Sequence, residues 1–118
     1  MQDINQVALT ARLTVDPELR STPSGTSVAT LRVAIQRPGD RGAAFYDVEV
    51  WGKLAESCTE FLAKGSRVGI AGRLEHQEWN SDNGSMRQRN YVVAEQVNFL
   101  DRPAKAERDG SHEAPAAA

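Results

Sequence analysis

Along most of the first hundred positions apolar and polar residues alternate with a period of two, the pattern of strands with one buried face. In the segment Val7 to Val15, the residues Val7, Leu9, Leu13 and Val15 fall in phase. Asp16-Pro17 ends that segment, and Thr22-Pro23-Ser24-Gly25 has the composition of a turn. A second strand, Val28 to Arg37, turns Leu31, Val33 and Ile35 inward and Thr30, Arg32, Ala34 and Gln36 outward. After the Pro38–Gly42 loop comes a third, Phe45 to Trp51. There Val48 and Val50 share one face, and Phe45, Asp47, Glu49 and Trp51 share the other.

The period then changes. From Lys53 to Lys64 the apolar residues Leu54, Cys58, Phe61 and Leu62 recur at helical spacing. Gly65 supplies a C-terminal stop, and Lys64 suits the negative end of the helix dipole. Alternation resumes from about Arg67 to Trp79, with Val68, Ile70 and Leu74 on one side and Arg73, Glu75, Gln77 and Trp79 on the other. Gly69 and Gly72 mark a bend or a close backbone approach. Asn80-Ser81-Asp82-Asn83-Gly84 reads as a hairpin turn, and a fifth strand follows from about Met86 to Leu100, with a kink near Ala94. The fold class is all-β with one helix. Five strands with the helix between strands 3 and 4 is the order of an oligonucleotide/oligosaccharide-binding (OB-fold) barrel. This predicts a domain over residues 1–101. Residues 102–118 hold no bulky apolar side chain and read as a disordered tail.

The two tryptophans stand out because parity puts Trp51 and Trp79 on the polar sides of their strands. A soluble domain gains nothing from a solvent-facing Trp, whereas a platform for flat groups such as nucleic-acid bases requires one. For Trp51 the competing reading is a core or interface aromatic. Trp79 lies close enough to the turn to act as a simple lid, and Phe45 can equally pack under the Pro38–Gly42 loop.

Composition narrows the chemistry. The formal net charge of −2 argues against a globally basic binder, so any groove for phosphate must be locally cationic. Eleven of the 14 cationic residues are arginines, planar groups able to pair with phosphate or to stack. Arg32, Arg37, Arg73 and Arg87 are the candidate cationic set. Cys58 is the only cysteine, which leaves no internal disulfide or cysteine cluster for zinc, and it reads as part of a buried helix face. No apolar run reaches the ~20 residues of a membrane span, and the start Met1-Gln2-Asp3-Ile4 does not look like a signal peptide, so a cytoplasmic protein with no membrane partner is expected.

Four strings carry a resemblance. Asp16-Pro17-Glu18-Leu19-Arg20, Thr22-Pro23-Ser24-Gly25, Trp51-Gly52-Lys53-Leu54-Ala55-Glu56 and Lys64-Gly65-Ser66-Arg67-Val68 occur in the order and spacing of bacterial single-stranded DNA-binding proteins. The similarity spans about residues 4 to 100. It implies an OB-fold that coats single-stranded DNA in replication, recombination and repair. It further implies a homotetramer (a dimer of dimers) in which first strands of neighbouring subunits pair, and nucleoid association when bound to DNA. Residue by residue, Trp51 and Trp79 match base-stacking positions, and Phe45 matches a third aromatic position. Tyr46 matches a position near the subunit interface and the DNA path, and Lys53 and Lys64 match basic positions.

The chain departs from that family in three places. Arg37-Pro38-Gly39-Asp40 lacks a loop aromatic, which implies one stacking contact fewer. The fifth strand opens Arg87-Gln88-Arg89-Asn90-Tyr91 where the family usually has a Tyr-x-Thr-Glu-type run. The final residues, Ala114-Pro115-Ala116-Ala117-Ala118, are not an acidic Pro-Phe tip, so recruitment of repair and replication proteins through the C-terminus is not implied and a shorter paralogue is expected. Catalysis finds little support. His76 falls in phase with Ile70 and Leu74 without a second histidine at ligand spacing, Asp47 and Glu49 lie on an open sheet, and Ser66 has no evident base. No cofactor or metal is expected. The remaining alternative to a DNA-binding module is an OB barrel that mainly forms mixed oligomers.

Overall fold

The alternating segments are strands, and a short extra one joins them. The computed structural model describes residues 1–101. In chain order it contains β1 (Val7–Leu13), β2 (Glu18–Ser21), β3 (Ser27–Gln36), β4 (Ala43–Trp51), α1 (Lys53–Phe61), β5 (Arg67–Asn80) and β6 (Met86–Phe99). All five expected strands are present. The addition, β2, is a four-residue ribbon exposed throughout, so no buried position marks it in the sequence. It shifts the numbering and places the same helix between β4 and β5. The tail expected over 102–118 lies outside the described residues.

The strands form one sheet in the order β1-β5-β6-β4-β3-β2, and β1 closes it by pairing with β3 at Arg12–Ala34 and Leu13–Val33. This is the all-β barrel with one helix that the pattern predicts. Inward-facing Leu31, Val33, Val48, Val50, Val68 and Ile70 fill it, and α1 adds Ala55 and Cys58. The rings of Phe61 and Phe99 lie 6.2 Å apart at 46°, which joins the helix end to the end of β6. Cys58 is fully buried, and burial pushes its thiol up to about 12. That environment keeps it protonated and unreactive.

Three expectations about the ends of elements need correction. The helix stops at Phe61, because Leu62 swings into an extended conformation (φ −101°, ψ 152°) to keep its side chain in the core. Lys64 therefore sits beyond the helix rather than on its dipole. Its backbone N–H donates to the Asp16 carboxylate at 2.8 Å. Val15, in phase with Leu13, lies past the end of β1 and is exposed. Leu74 has the parity of Ile70 yet is 48% exposed, because β1 pairs with β5 only as far as Gly72. β4 stays paired with β6 as far as Val92, opposite Leu74, and beyond that row β5 and β6 continue as a two-stranded arm.

Gly72 sits where the arm leaves the barrel. A Cβ there would stand 2.0 Å from the Val93 carbonyl oxygen, so only glycine permits this approach of β5 to β6. Gly69 meets nothing closer than 3.8 Å and carries no such constraint. Opposite Gly72 the ladder skips Glu95, a β-bulge that accounts for the kink expected near Ala94.

Candidate nucleic-acid interface

Register determines which side chains share a face. On β4, Phe45, Asp47, Glu49 and Trp51 point to one side, opposite Ala34, Arg32, Thr30 and Val28 of β3. Parallel pairing sets Glu49 beside Val93 of β6. Two-residue steps along β6 then put Val93, Tyr91, Arg89 and Arg87 on that same side, opposite Arg73, Glu75, Gln77 and Trp79 of β5. Both tryptophans thus belong to a single continuous face, with Arg87 directly across from Trp79. Their large aromatic surfaces stay accessible, at 45% for Trp51 and 42% for Trp79, and Phe45 is exposed at 70%. Inward parity would have buried them with Val48 and Ile70.

The other candidate residues divide by position. Arg32, Arg73 and Arg87 lie on the tryptophan face. Tyr46 does not. It pairs with Val33 and points to the opposite side of β4, half-exposed. Lys53 opens α1 two residues after Trp51, and Lys64 follows the helix; both are exposed. Arg37 belongs to the loop after β3, where its guanidinium donates to the carbonyls of Arg41 and Gly42 and closes the loop on itself.

The face is less cationic than its arginines suggest. Arg32 pairs with Asp47 at 3.3 Å, and Arg73 pairs with Glu75 at 2.8 Å and Glu95 at 3.2 Å. The hydrogen bonds it donates to Glu75 and then Glu95 raise the pKa of the Arg73 guanidinium. Arg89 reaches from β6 to β4, bonding Glu49 at 3.0 Å and Asp47 at 3.5 Å, and donates to Gln77 Oε1 at 2.9 Å. Arg20 of β2 approaches Glu49 from the other side at 3.6 Å. Three arginines therefore surround two carboxylates. Exposed pairs of this kind contribute about 0–1 kcal/mol each, but Glu49 is only 7% exposed and depends on its partners to offset desolvation. Among the described residues, no carboxylate ion pair engages Arg87, Arg37, Lys53 or Lys64.

Arg20, Arg89 and Tyr91 escaped the reading of the sequence. For Arg89 and Tyr91 the signal was there, since Arg87-x-Arg89-x-Tyr91 alternates onto one face. Arg20 had none, because β2 itself was invisible. On the reverse side of the arm His76 is exposed, with Nδ1 2.8 Å from Asn90 Oδ1 and Nε2 2.9 Å from Glu78 Oε2. Those two bonds, Asn90 first, raise its pKa. Among the described residues no group of three His, Cys, Asp or Glu side chains is arranged to hold a metal ion. No helix among them is long and apolar enough to cross a membrane.

Comparison with known proteins gives this geometry its context. The sequence model of the Single-strand binding protein family matches residues 4–100. Single-stranded DNA-binding protein 3 of Clostridium acetobutylicum is 40% identical over 103 residues, 83% of this chain and 72% of that protein. Single-stranded DNA-binding protein 3 of Listeria innocua is 42% identical over 83% of this chain, which spans 64% of its length. The single-stranded DNA-binding protein of Halalkalibacterium halodurans is 39% identical over 114 residues, 92% of this chain and 68% of that protein. A match over nearly all of the described residues, together with a barrel that presents both tryptophans on one face, places the chain in the single-strand binding protein family.

Proposed function

We propose that this chain binds single-stranded DNA without reading its sequence and coats it in replication, recombination and repair. The shared face of Trp51 and Trp79, with arginines between them, carries the proposal. Bases stack on Trp51 and Trp79, and on Phe45 at the exposed start of β4. Every base has a π-face, so stacking is tolerant of sequence, and each stacked base contributes roughly 1–3 kcal/mol. Duplex DNA is excluded because its bases already stack on one another.

Phosphates are held by Arg32, Arg73 and Arg87 on the face, with Lys53, Lys64, Arg37 and Tyr46 around its margins. An arginine that leaves a carboxylate to meet a phosphate exchanges one anion for another. Arg87, Lys53 and Lys64 have no carboxylate to give up among the described residues and so contribute the larger share of the salt-sensitive affinity.

In this reading the protein is a cytoplasmic homotetramer, a dimer of dimers. β1 supports it: Val7 to Arg12 pair with β5 along one edge, and only Arg12 and Leu13 pair with β3 on the other, which leaves backbone for a second copy. Several linked barrels convert weak contacts into tight binding. The function in this reading is binding without catalysis and without a cofactor.

Titration of intrinsic tryptophan fluorescence with dT oligomers of graded length tests the proposal. Strong quenching is expected, and Trp51→Ala should weaken binding by roughly 1–3 kcal/mol with its melting curve intact. Micromolar or weaker binding at low salt would favour a barrel that serves mixed oligomers instead.

A further inference from the structure

We infer that Tyr91, with the Arg89 guanidinium layered on its ring, is a further nucleobase-stacking station midway between the two tryptophans. The inference rests on the DNA-binding reading above and extends it to residues outside the predicted stacking set.

Spacing is the first argument. Trp79 stands across from Arg87, and Trp51 lies two residues beyond Glu49, the neighbour of Val93. From the Arg87 row to the Trp51 row is six residues along β6 and two along β4. At about 3.3 Å per residue the tryptophans are about 26 Å apart along the strands. A strand keeping the duplex rise of about 3.4 Å per nucleotide places about eight nucleotides in that interval, and a stretched strand places fewer. Within that interval the stacking set named above offers only Phe45, on the neighbouring strand β4, and nothing on β6 itself. Tyr91 divides the gap into two spans of about 13 Å.

Construction is the second. The Arg89 guanidinium carbon lies 4.3 Å from the Tyr91 ring centroid, in the range of a cation–π contact. Gln77, Asp47 and Glu49 anchor the guanidinium from both neighbouring strands. A half-buried arginine held at three points has little rotamer freedom left to lose when a base is added to the stack. The carboxylates around the station are matched in charge, because Arg20, Arg32, Arg73 and Arg89 balance Asp47, Glu49, Glu75 (across from Tyr91) and Glu95.

Two measurements on the full chain test the inference. Tyr91→Leu removes the ring and keeps apolar bulk, and Tyr91→Phe keeps the ring. Oligo-dT affinity should fall about tenfold in the first and change less than about twofold in the second. The second measurement needs no variant: photolysis of the wild-type complex with an oligomer carrying 5-iodouracil should cross-link the peptide containing Tyr91 as well as those containing Trp51 and Trp79. Cross-links at the tryptophans but none at Tyr91 would overturn the inference. So would unchanged affinity of Tyr91→Leu beside a weakened Trp51→Ala, and DNA binding itself would stand in both cases. A wild-type chain that fails to bind oligo-dT would remove the underlying reading and this one together.

Discussion

The barrel and the arm are made from the same two strands, yet they obey different rules. In the first half of β5, parity and burial coincide, with Val68 and Ile70 inside and Arg67 and Ala71 outside. Past Gly72 the alternation continues but neither side is sealed. Leu74 and His76 face one way and Arg73 and Glu75 the other, all of them at least partly in solvent. Alternation therefore reports which side a residue takes, and burial requires a third layer to cover that side. The barrel has that layer in its opposite wall. The arm relies on cross-strand bonds such as Asn5 with the Leu74 backbone, His76 with Asn90 and Arg89 with Gln77.

The sharpest way to break the comparison is to make one truncation on each side of Gly72. Ile70→Ala empties a closed core and should cost about 2–5 kcal/mol, whereas Leu74→Ala, at the same parity, should cost well under about 1 kcal/mol. Chemical denaturation of the two variants decides it, and equal losses would mean that the arm is as well covered as the barrel.

Glu49→Gln probes the charged network that ties the arm to β4. Neutralising this nearly buried carboxylate removes the anion held by Arg20 and Arg89, so the melting temperature should fall by a few degrees. The freed guanidinium groups should meanwhile steepen the log–log salt dependence of oligo-dT binding by about 0.7 for each new phosphate contact. A lower melting temperature with an unchanged slope would show that these arginines never meet DNA.

His76 gives the smallest effect. Its folded pKa is raised by Asn90 and Glu78, so the stabilisation it contributes is complete below the unfolded value of about 6.5 and fades as pH rises through the folded one. The difference in melting temperature between wild type and His76→Gln should accordingly shrink from about pH 6 to pH 8. A difference that grows with pH would contradict the sign.

The sequence makes the face legible more readily than its electrostatics. Trp51, Trp79, Arg32 and Arg73 take their sides by counting residues, which needs no knowledge of the fold. The exposure of Leu74 and Val15 depends on where β1 stops pairing, a tertiary fact. The strand β2 left no trace because four exposed residues have no inner face to alternate with. The ion pairs are the least readable feature, since Arg89 and Glu49 lie 40 positions apart and meet only across a parallel pairing. Lys64 shows the same limit at short range. The stripe and the glycine mark a helix end correctly in kind, but the core's demand for Leu62 ends it earlier.

That parallel pairing also sets an order of events when the chain folds. β3 and β4 can join as soon as both exist, as can β5 and β6, but β4 meets β6 only across the helix and the whole of β5. Contacts so distant in sequence are slow to form, which places barrels of this type toward the millisecond-to-second end of folding. During synthesis, at about 5–20 residues per second, Trp51 leaves the ribosome seconds before Arg89 and Tyr91. Until β6 arrives, the inner edge of β4 is an unpaired strand with Val48 and Val50 beside it. A nascent chain arrested between Trp79 and Val92 is thus the form most open to wrong strand pairing, and the last strand that completes the tryptophan face also removes that hazard.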